Sequence, residues 1–516
     1  MVKYSMATPR PLLTISFAAS LVAVAAFPTL PGAASDMAGA GDTGNTVDTF
    51  ATVTGPSSAA RVSRAEGIDL NARYQDDLAA MRSIRPGYKF WEHVFTIPDG
   101  SIAFGSALDG RLIAVFPVKG DWTRDVVWHA PEVANALEGH QLPRSLDERR
   151  DYVVSVLEPL AGPLLHNPTR GQFVRPNAAR YGTFLREWSA IYERFGIPAD
   201  VGLAQAMIES GFNGTRRSEA SAIGFCQWLV SNWRYLDRLS PAVIEAGNQT
   251  TQSAYCAAYL AVLGTKYGSL IPALSEHHAG GTNVGRVLIN GERLGGADTR
   301  EQYFLGAALA RDLRVLAPKA YSDLYRTYGP RSYFYAEMVF GNTFRIASIK
   351  ASTSQTSVYG MRTGRPVPLA EITKRTGMSA DDVRRFNPAL TRSVPSGATL
   401  YLPRHVEAFG RDVSFWHRPA NAAFKTTMAD FMALDAPPEQ WDEPPFLSVL
   451  KGFERRFAAT QSEEGTVMAT MLAYVGSEAA TSGRRQILTE FRTSSTIRGE
   501  FERAVRHRDA ARAAQQ

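Results

Sequence analysis

One glutamate, in the stretch AQAMIESGFNG at 204–214, has the setting of a catalytic acid. The apolar residues before Glu209 predict a short, buried helix with Asp200 as its N-terminal cap and Gly211 as its C-terminal cap. A helix C-terminus and apolar surroundings both disfavour a carboxylate, so we expect a raised pKa for Glu209. A raised pKa suits a general acid that must donate a proton near neutral pH.

Short motifs occur at and after this glutamate. Glu209, Ser210 and Phe212 form an acid-serine-phenylalanine motif after the apolar helix, and Gly224 and Gln227 lie in the downstream segment Gly-Phe-Cys-Gln. In their order and separation these residues resemble the lytic transglycosylases of glycoside hydrolase family 23, in particular the membrane-bound murein transglycosylase D type. The second motif of that family is Gly-Leu-x-Gln, so phenylalanine replaces leucine here.

The third family motif is altered in this chain. The family has Ala-Tyr-Asn-Ala-Gly, and the corresponding residues are Glu276, His277, His278, Ala279 and Gly280. In the family the tyrosine and asparagine line the sugar-binding cleft near the acid, so the resemblance implies that His277 and His278 bind substrate. His278 would donate a hydrogen bond to a sugar as asparagine does. The alternative is that both histidines are only tolerated at the edge of the cleft.

The resemblance implies roles for the remaining motif residues. Ser210 would orient the acid or a substrate amide, Gln227 would hydrogen-bond to sugar groups, and Gly224 would let the backbone approach the glycan closely. A fourth family element, a tyrosine after a turn, corresponds to Tyr303. Adjacent histidines on a helix point in different directions and the sequence shows no third ligand with them, so we expect no metal site.

The number of carboxylates separates two mechanisms. Most glycosidases use a pair, but no second acid near Glu209 in the sequence lies in a motif that would place it across a scissile bond. The resembled family uses one glutamate, which protonates the leaving oxygen while the N-acetyl group of the sugar stabilises the positive charge. The glutamate then activates the C6 hydroxyl, which gives a 1,6-anhydro product without consuming water.

The resemblance therefore implies a lytic transglycosylase that cleaves the β-1,4 bond between N-acetylmuramic acid and N-acetylglucosamine in peptidoglycan, with no cofactor. Two alternatives remain: a lysozyme-like muramidase in which water attacks the same bond, and an inactive peptidoglycan-binding scaffold. The expected partners are peptidoglycan glycan strands and, through the terminal regions, other cell-envelope proteins. The formal net charge of +6 includes no run of like charges typical of a nucleic-acid-binding tail, so we expect no nucleic-acid partner.

The first residues of the chain predict export. Residues 1–34 have basic residues before an apolar run, as in a signal peptide, and no cysteine follows the run to accept a lipid. We therefore expect a bacterial periplasmic or cell-envelope location. The chain contains two cysteines, Cys226 and Cys256, which in an exported protein are compatible with one disulfide or with two buried thiols.

Composition and periodicity divide the rest of the chain. A flexible linker at 35–61 precedes a mixed α/β region at 62–165, in which two short strands and a helix are predicted. Strong helical periodicity is present within 166–350, which is the lysozyme-like catalytic unit that the resemblance implies. Residues 405–516 show amphipathic helical patterns to which we assign no chemistry.

A strand-helix-helix-strand pattern occupies 356–404. An opening strand, two short helices separated by a turn at Gly377, and a final strand in SGATLYLP resemble one LysM module, which binds glycans that contain N-acetylglucosamine. The segment RPVP before the first helix replaces the usual Asp-Thr, and the alternative is a spacer of the same shape that no longer binds sugar. The expected fold class is mainly α (α+β): a lysozyme-like helical domain, a small βααβ LysM module, and additional N- and C-terminal regions.

Overall fold

The computed structural model describes residues 70–236 and 243–513. Helix accounts for 63% of the structure and strand for 9%, which confirms the expected mainly α chain with small sheets. The predicted signal peptide (1–34) and linker (35–61) lie outside the described residues. Among the described helices, none is long and apolar enough to cross a membrane.

Residues 70–168 form an antiparallel sheet with helices before and beside it. The elements are α1 (Leu70–Ile84), α2 (Phe90–Thr96), β1 (Ser101–Ser106), β2 (Leu112–Pro117), β3 (Val127–Trp128), α3 (Leu146–Ala161) and β4 (Leu164–Pro168). The strand order is β3-β2-β1-β4, and β1 and β2 are the two strands that the sequence predicts. The sheet and α3 enclose their own hydrophobic core, which includes Phe104, Trp122 and Leu157.

The central helical unit follows and carries the motif residues. Its elements are α4 (Gly171–Tyr181), α5 (Leu185–Arg194), α6 (Ala199–Ser210), β5 (Ala222–Ile223), β6 (Trp228–Leu229), α7 (Val230–Leu236), α8 (Val243–Ala246), α9 (Gln249–Tyr267), α10 (Leu270–Ala279), α11 (Gly281–Arg293), α12 (Thr299–Leu316), α13 (Pro318–Tyr325), α14 (Pro330–Tyr333), α15 (Tyr335–Gly341) and α16 (Thr343–Ser352). Nearly every residue of α9 is buried, and α5 and α10 pack against it. This helix is therefore the centre of the unit.

The helix that carries Glu209 ends as predicted but begins differently. Gly211 adopts the left-handed conformation, with φ of 63°, that terminates α6. Pro198 is the N-terminal cap, so the prediction that Asp200 is the cap is wrong. The backbone of Pro198 already has the non-helical conformation that begins the helix, which places Asp200 inside the first turn, where the helix dipole still favours its carboxylate.

Residues 359–402 have the predicted strand-helix-helix-strand order. The elements are β7 (Tyr359–Arg362), β8 (Val367–Pro368), α17 (Leu369–Thr376), α18 (Ala380–Phe386), β9 (Ser393–Val394) and β10 (Thr399–Leu402). β7 pairs antiparallel with β10, and the two helices cover a small core that includes Met361, Ile372 and Leu400. We call this segment the βααβ unit.

The C-terminal region continues the hydrophobic core of the central helical unit. Its elements are β11 (Arg411–Asp412), α19 (Ala422–Met432), α20 (Pro444–Ala458), α21 (Glu463–Thr481), α22 (Arg484–Thr493) and α23 (Ser495–Ala513). α21 packs on α9, α22 on α11, and α23 on α12 and α13. The rings of Trp228 and Tyr474 lie 5.6 Å apart, and Phe457 belongs to the same core as Trp188. The region is thus docked along the central unit.

Candidate active site around Glu209

Glu209 lies in the last turn of α6 with its carboxylate partly open to solvent. Its side chain is 16% exposed, whereas Met207 and Ser210 beside it are fully buried. The phenol of Tyr335 donates a hydrogen bond to Oε1 of Glu209. Nδ1 of His278 lies 3.7 Å from the same oxygen. Three helices, α6, α10 and α15, therefore bring an acid, an imidazole and a phenol together.

Tyr335 and His278 support each other by ring stacking. Their ring centroids are 4.2 Å apart and their planes differ by 9°. Tyr335 begins α15 and is buried, and burial together with the negative charge of Glu209 raises the pKa of its phenol well above the usual value. The phenol therefore stays protonated and acts as a hydrogen-bond donor to the carboxylate.

The pKa of Glu209 is lowered, so the expectation of a raised value is wrong. Burial raises this pKa, as expected. The nearby ring of His278 when it is protonated, a smaller contribution from His277 when that ring is protonated, and the hydrogen bond from Tyr335 together lower it by more than burial raises it. The sequence argument included the helix end and the apolar setting, but not these partners from α10 and α15. Glu209 is therefore ionised at neutral pH in the free protein.

His277 has different partners from its neighbour His278. Its Nε2 lies 2.7 Å from the backbone carbonyl oxygen of Cys226. A carbonyl only accepts hydrogen bonds, so Nε2 carries the proton. Nδ1 is buried without a hydrogen-bond partner, and burial lowers the pKa of the ring. At neutral pH His277 is therefore an uncharged imidazole, and it joins α10 to the β5–β6 loop (224–227).

The β5–β6 loop is held closed by side chains. Gly224 has φ of 88°, and a Cβ there would lie 2.1 Å from Nε2 of Gln252, so both the conformation and the space require glycine. Oε1 of Gln252 accepts a hydrogen bond of 2.7 Å from the backbone N–H of Phe225. Nε2 of Gln227 donates to the carbonyls of Gly224 (2.9 Å) and Arg216 (3.0 Å). Gly224 and Gln227, which the sequence analysis expects to contact the glycan, thus also fix the conformation of the loop.

Two further links fasten this loop to the helices around it. Oγ of Ser210 donates a hydrogen bond of 2.9 Å to the carbonyl of Phe225, and Ser210 has no exposed surface for a substrate. Ser210 therefore positions the loop instead of binding substrate. Cys226 and Cys256 form a disulfide, with an S–S distance of 1.94 Å, which decides between the two cysteine alternatives and joins the loop to α9.

The tyrosine at the acid is Tyr335, whereas the sequence analysis selects Tyr303. Tyr303, on α12, is 1% exposed, and its hydroxyl donates a hydrogen bond of 3.2 Å to the carbonyl of Ser332. Burial raises the pKa of Tyr303 to about 12. It is a tyrosine of the hydrophobic core. Tyr335 also follows a turn, at Gly329 and Pro330, and that second turn-then-tyrosine pattern is the sequence signal for it.

The site has the groups for proton transfer. Among the described residues, no group of three or more His, Cys, Asp or Glu side chains is placed to hold a metal ion.

No model of a known protein family matches the chain, and a comparison with the curated proteins finds no similar sequence. The groups available for chemistry at this site are one partly exposed carboxylate, a phenol that donates a hydrogen bond to it, and two imidazoles.

Proposed function

We propose that this chain is an exported bacterial peptidoglycan lytic transglycosylase with a lysozyme-like catalytic unit, in which Glu209 is the single general acid and base. The observation that carries the proposal is the partly exposed carboxylate of Glu209 at the C-terminal end of a buried helix. It accepts a hydrogen bond from Tyr335 and lies beside His278. The contacts of this carboxylate in the described part of the chain include a phenol and an imidazole, which serve to hold and polarise one acid. A single-acid mechanism agrees with that arrangement.

The geometry supports a two-step use of one residue. Protonated Glu209 would donate its proton to the glycosidic oxygen, while the N-acetyl carbonyl of the cleaved sugar stabilises the positive charge at C1. The carboxylate would then take the proton of the C6 hydroxyl as that oxygen attacks C1, which forms the 1,6-anhydro ring. A glycan bound over the site excludes water from the carboxylate, and this desolvation raises the pKa towards the value that the first step needs.

The βααβ unit supports a cell-wall substrate. Its element order is that of a LysM module, and hydrogen bonds fasten it to the start of α9. Nδ2 of Asn248 donates a hydrogen bond of 2.9 Å to the carbonyl of Phe386, and the hydroxyls of Thr251 and Tyr401 lie 2.7 Å apart. A glycan-binding module fixed to a catalytic unit raises the local concentration of the glycan strand at that unit.

One observation favours a second candidate, a peptidoglycan-binding scaffold without turnover. The lowered pKa keeps Glu209 ionised in the free protein, which is unfavourable for a general acid. His277 and His278 also stand where the resembled family has tyrosine and asparagine. Analysis of products separates this candidate from the enzyme.

The masses of products released from purified peptidoglycan sacculi test the proposal. We expect residues 35–516 to release muropeptides lighter by one water than hydrolytic products, because the C6 hydroxyl replaces water as the nucleophile. Products with intact reducing ends would identify a muramidase and contradict the single-acid mechanism. Binding to sacculi without any release would identify the scaffold.

His278→Asn should extend cleavage to higher pH. The first step needs protonated Glu209, so the rate falls as pH rises through the pKa of Glu209. Without His278, the nearby positive charge that lowers this pKa is lost, the pKa rises, and the fall begins at higher pH. Above the pKa, each unit of increase raises the protonated fraction about tenfold. Profiles of rate against pH measure the effect, with the exposed His507→Asn as control. A profile that is unchanged or shifted to acid would contradict it.

A further inference from the structure

Glu276 is a buried charge directly beside the candidate site. It lies on α10, one residue before His277, and its side chain is 3% exposed. The family that the motifs resemble has alanine here, so that resemblance does not explain the charge. A buried carboxylate is costly unless opposite charges and hydrogen bonds balance it. The partners of the Glu276 carboxylate therefore indicate its structural role.

Two cations and a phenol balance Glu276. Nζ of Lys266 lies 2.7 Å from Oε2, Tyr267 donates to the same oxygen, and Nη1 of Arg484 lies 3.0 Å from Oε1. Lys266 and Arg484 are each 6% exposed. Burial raises the pKa of Glu276, but Lys266 and Arg484 lower it by more, so the carboxylate stays ionised. Lys266 and Tyr267 come from α9, whereas Arg484 comes from the C-terminal region.

The chain leaves space for Arg484 and anchors it. A Cβ on Gly281 would lie 2.4 Å from Nη1 of Arg484 and 2.6 Å from Oε1 of Glu276, so glycine leaves the room that the pair needs. Asp442 accepts hydrogen bonds from Nε of Arg484, at 2.6 Å, and from Nη2. The planar guanidinium therefore bridges two carboxylates, a geometry that lysine does not reproduce.

The first residues of α10 are held by the N-terminal region. Asp77, on α1, is fully buried and accepts hydrogen bonds from the backbone N–H of Leu270 (2.8 Å) and the hydroxyl of Ser269 (2.7 Å). Arg300 donates to Asp77 at 2.6 Å. The helix that carries both site histidines is thus held at its start by α1 and near its end by α22.

We infer that Arg484 is a positioning residue for the candidate active site. By holding Glu276 it sets the last turn of α10, and with it the contact of His277 with the β5–β6 loop and of His278 with Glu209. The C-terminal region, to which the sequence assigns no chemistry, then forms part of the active-site scaffold. An effect of Arg484 on turnover rests on the proposed function. Its effect on the position of the His277 and His278 rings does not.

Arg484→Lys and Arg485→Lys are a matched pair of variants. The two residues are adjacent on α22, and Arg484 is buried while Arg485 is exposed. Lysine keeps the positive charge and loses the bridge between the carboxylates. In the full chain with isotope-labelled histidine, we expect Arg484→Lys to shift the NMR resonances of the His277 and His278 rings. Arg485→Lys should leave them in place. His277→Asn and His278→Asn assign the two signals.

Glu276→Gln tests the route by which Arg484 acts. If the arginine acts through Glu276, the two single variants shift the same resonances, and the double variant shifts them no further than the larger single effect. Two independent structural disturbances would instead add. In the cleavage assay we expect Arg484→Lys to lower kcat by about tenfold or more with a smaller change in KM, because misplacement of catalytic groups affects chemistry more than binding.

Each outcome decides the inference. Histidine spectra of Arg484→Lys and Glu276→Gln that match those of Arg485→Lys would overturn it, and so would additive shifts in the double variant. If Arg484→Lys does not fold, the near-isosteric Glu276→Gln decides alone by the same resonances. If the unaltered protein releases no muropeptides, the proposed function fails, while the spectra still test the positioning role.

Discussion

Replacing Glu209 with glutamine should lower the rate of muropeptide release by about 10²–10⁴-fold, the contribution usual for general acid–base catalysis. Glutamine keeps the shape of the side chain and can still accept the hydrogen bond from Tyr335. It neither donates a proton to the leaving oxygen nor takes one from the C6 hydroxyl. Because the proposed mechanism uses one residue for both steps, we expect the loss at every pH. Release assays on purified sacculi measure it.

Glu219→Gln is the matched control for this prediction. Glu219 lies exposed a few residues before the β5–β6 loop, so the same substitution there should leave the rate unchanged. Binding to sacculi should survive in Glu209→Gln, since the βααβ unit is untouched. A Glu209→Gln variant that keeps most of its activity would show that another group supplies the proton, and the single-acid mechanism would then be wrong.

Local signals in the sequence were sufficient for the elements and for the position of Glu209 on its helix. The apolar run and Gly211 predict the end of α6 and place Glu209 in its last turn, as the structure has it. The strand-helix-helix-strand order follows from turn residues such as Gly377, which has the left-handed conformation that ends α17. These predictions depend only on neighbours along the chain.

Properties that depend on distant partners were predicted wrongly or missed. The direction of the pKa shift of Glu209 is set by His278 and Tyr335, which packing brings from other helices. Ser210 and Gln227 have the hydrogen-bonding groups of sugar-binding residues, yet donors on both are bonded to backbone carbonyls of the protein. The residue type determines which hydrogen bonds a side chain is able to form. Only the fold determines whether its partner is another part of the protein or a ligand.

The C-terminal region shows the same limit for packing. Its amphipathic patterns predict helices, and helices are present, but a periodic pattern does not identify the surface that the apolar face covers. Arg484 and Arg485, for example, are adjacent arginines that the sequence pattern alone does not distinguish. The structure buries the first against Glu276 and leaves the second exposed. Substituting each arginine in turn therefore tests whether the buried ion cluster fastens the C-terminal region to α10.

Arg484→Met should lower the free energy of unfolding by about 3–5 kcal/mol at neutral pH, the usual cost of removing one member of a buried ion cluster. Methionine fills much of the space, but the carboxylates of Glu276 and Asp442 lose the guanidinium that bridges them. Arg485→Met should change the free energy by no more than about 0.5 kcal/mol, because that side chain is exposed. Denaturant unfolding of the two variants and the unaltered protein measures the difference.

The pH dependence of that loss separates charge from packing. Burial raises the pKa of Glu276, but Lys266 and Arg484 lower it below the ordinary value of 4.5 in the folded protein. A group with a lowered folded pKa contributes stability above its unfolded pKa and loses it as pH falls through the folded pKa. The deficit of Arg484→Met should therefore be largest at neutral pH and shrink as pH falls and Glu276 protonates, because a neutral carboxyl group needs no cation. A deficit that is equal in acid and at neutral pH would mean that packing of the arginine, and not the ion cluster, fastens the C-terminal region to α10.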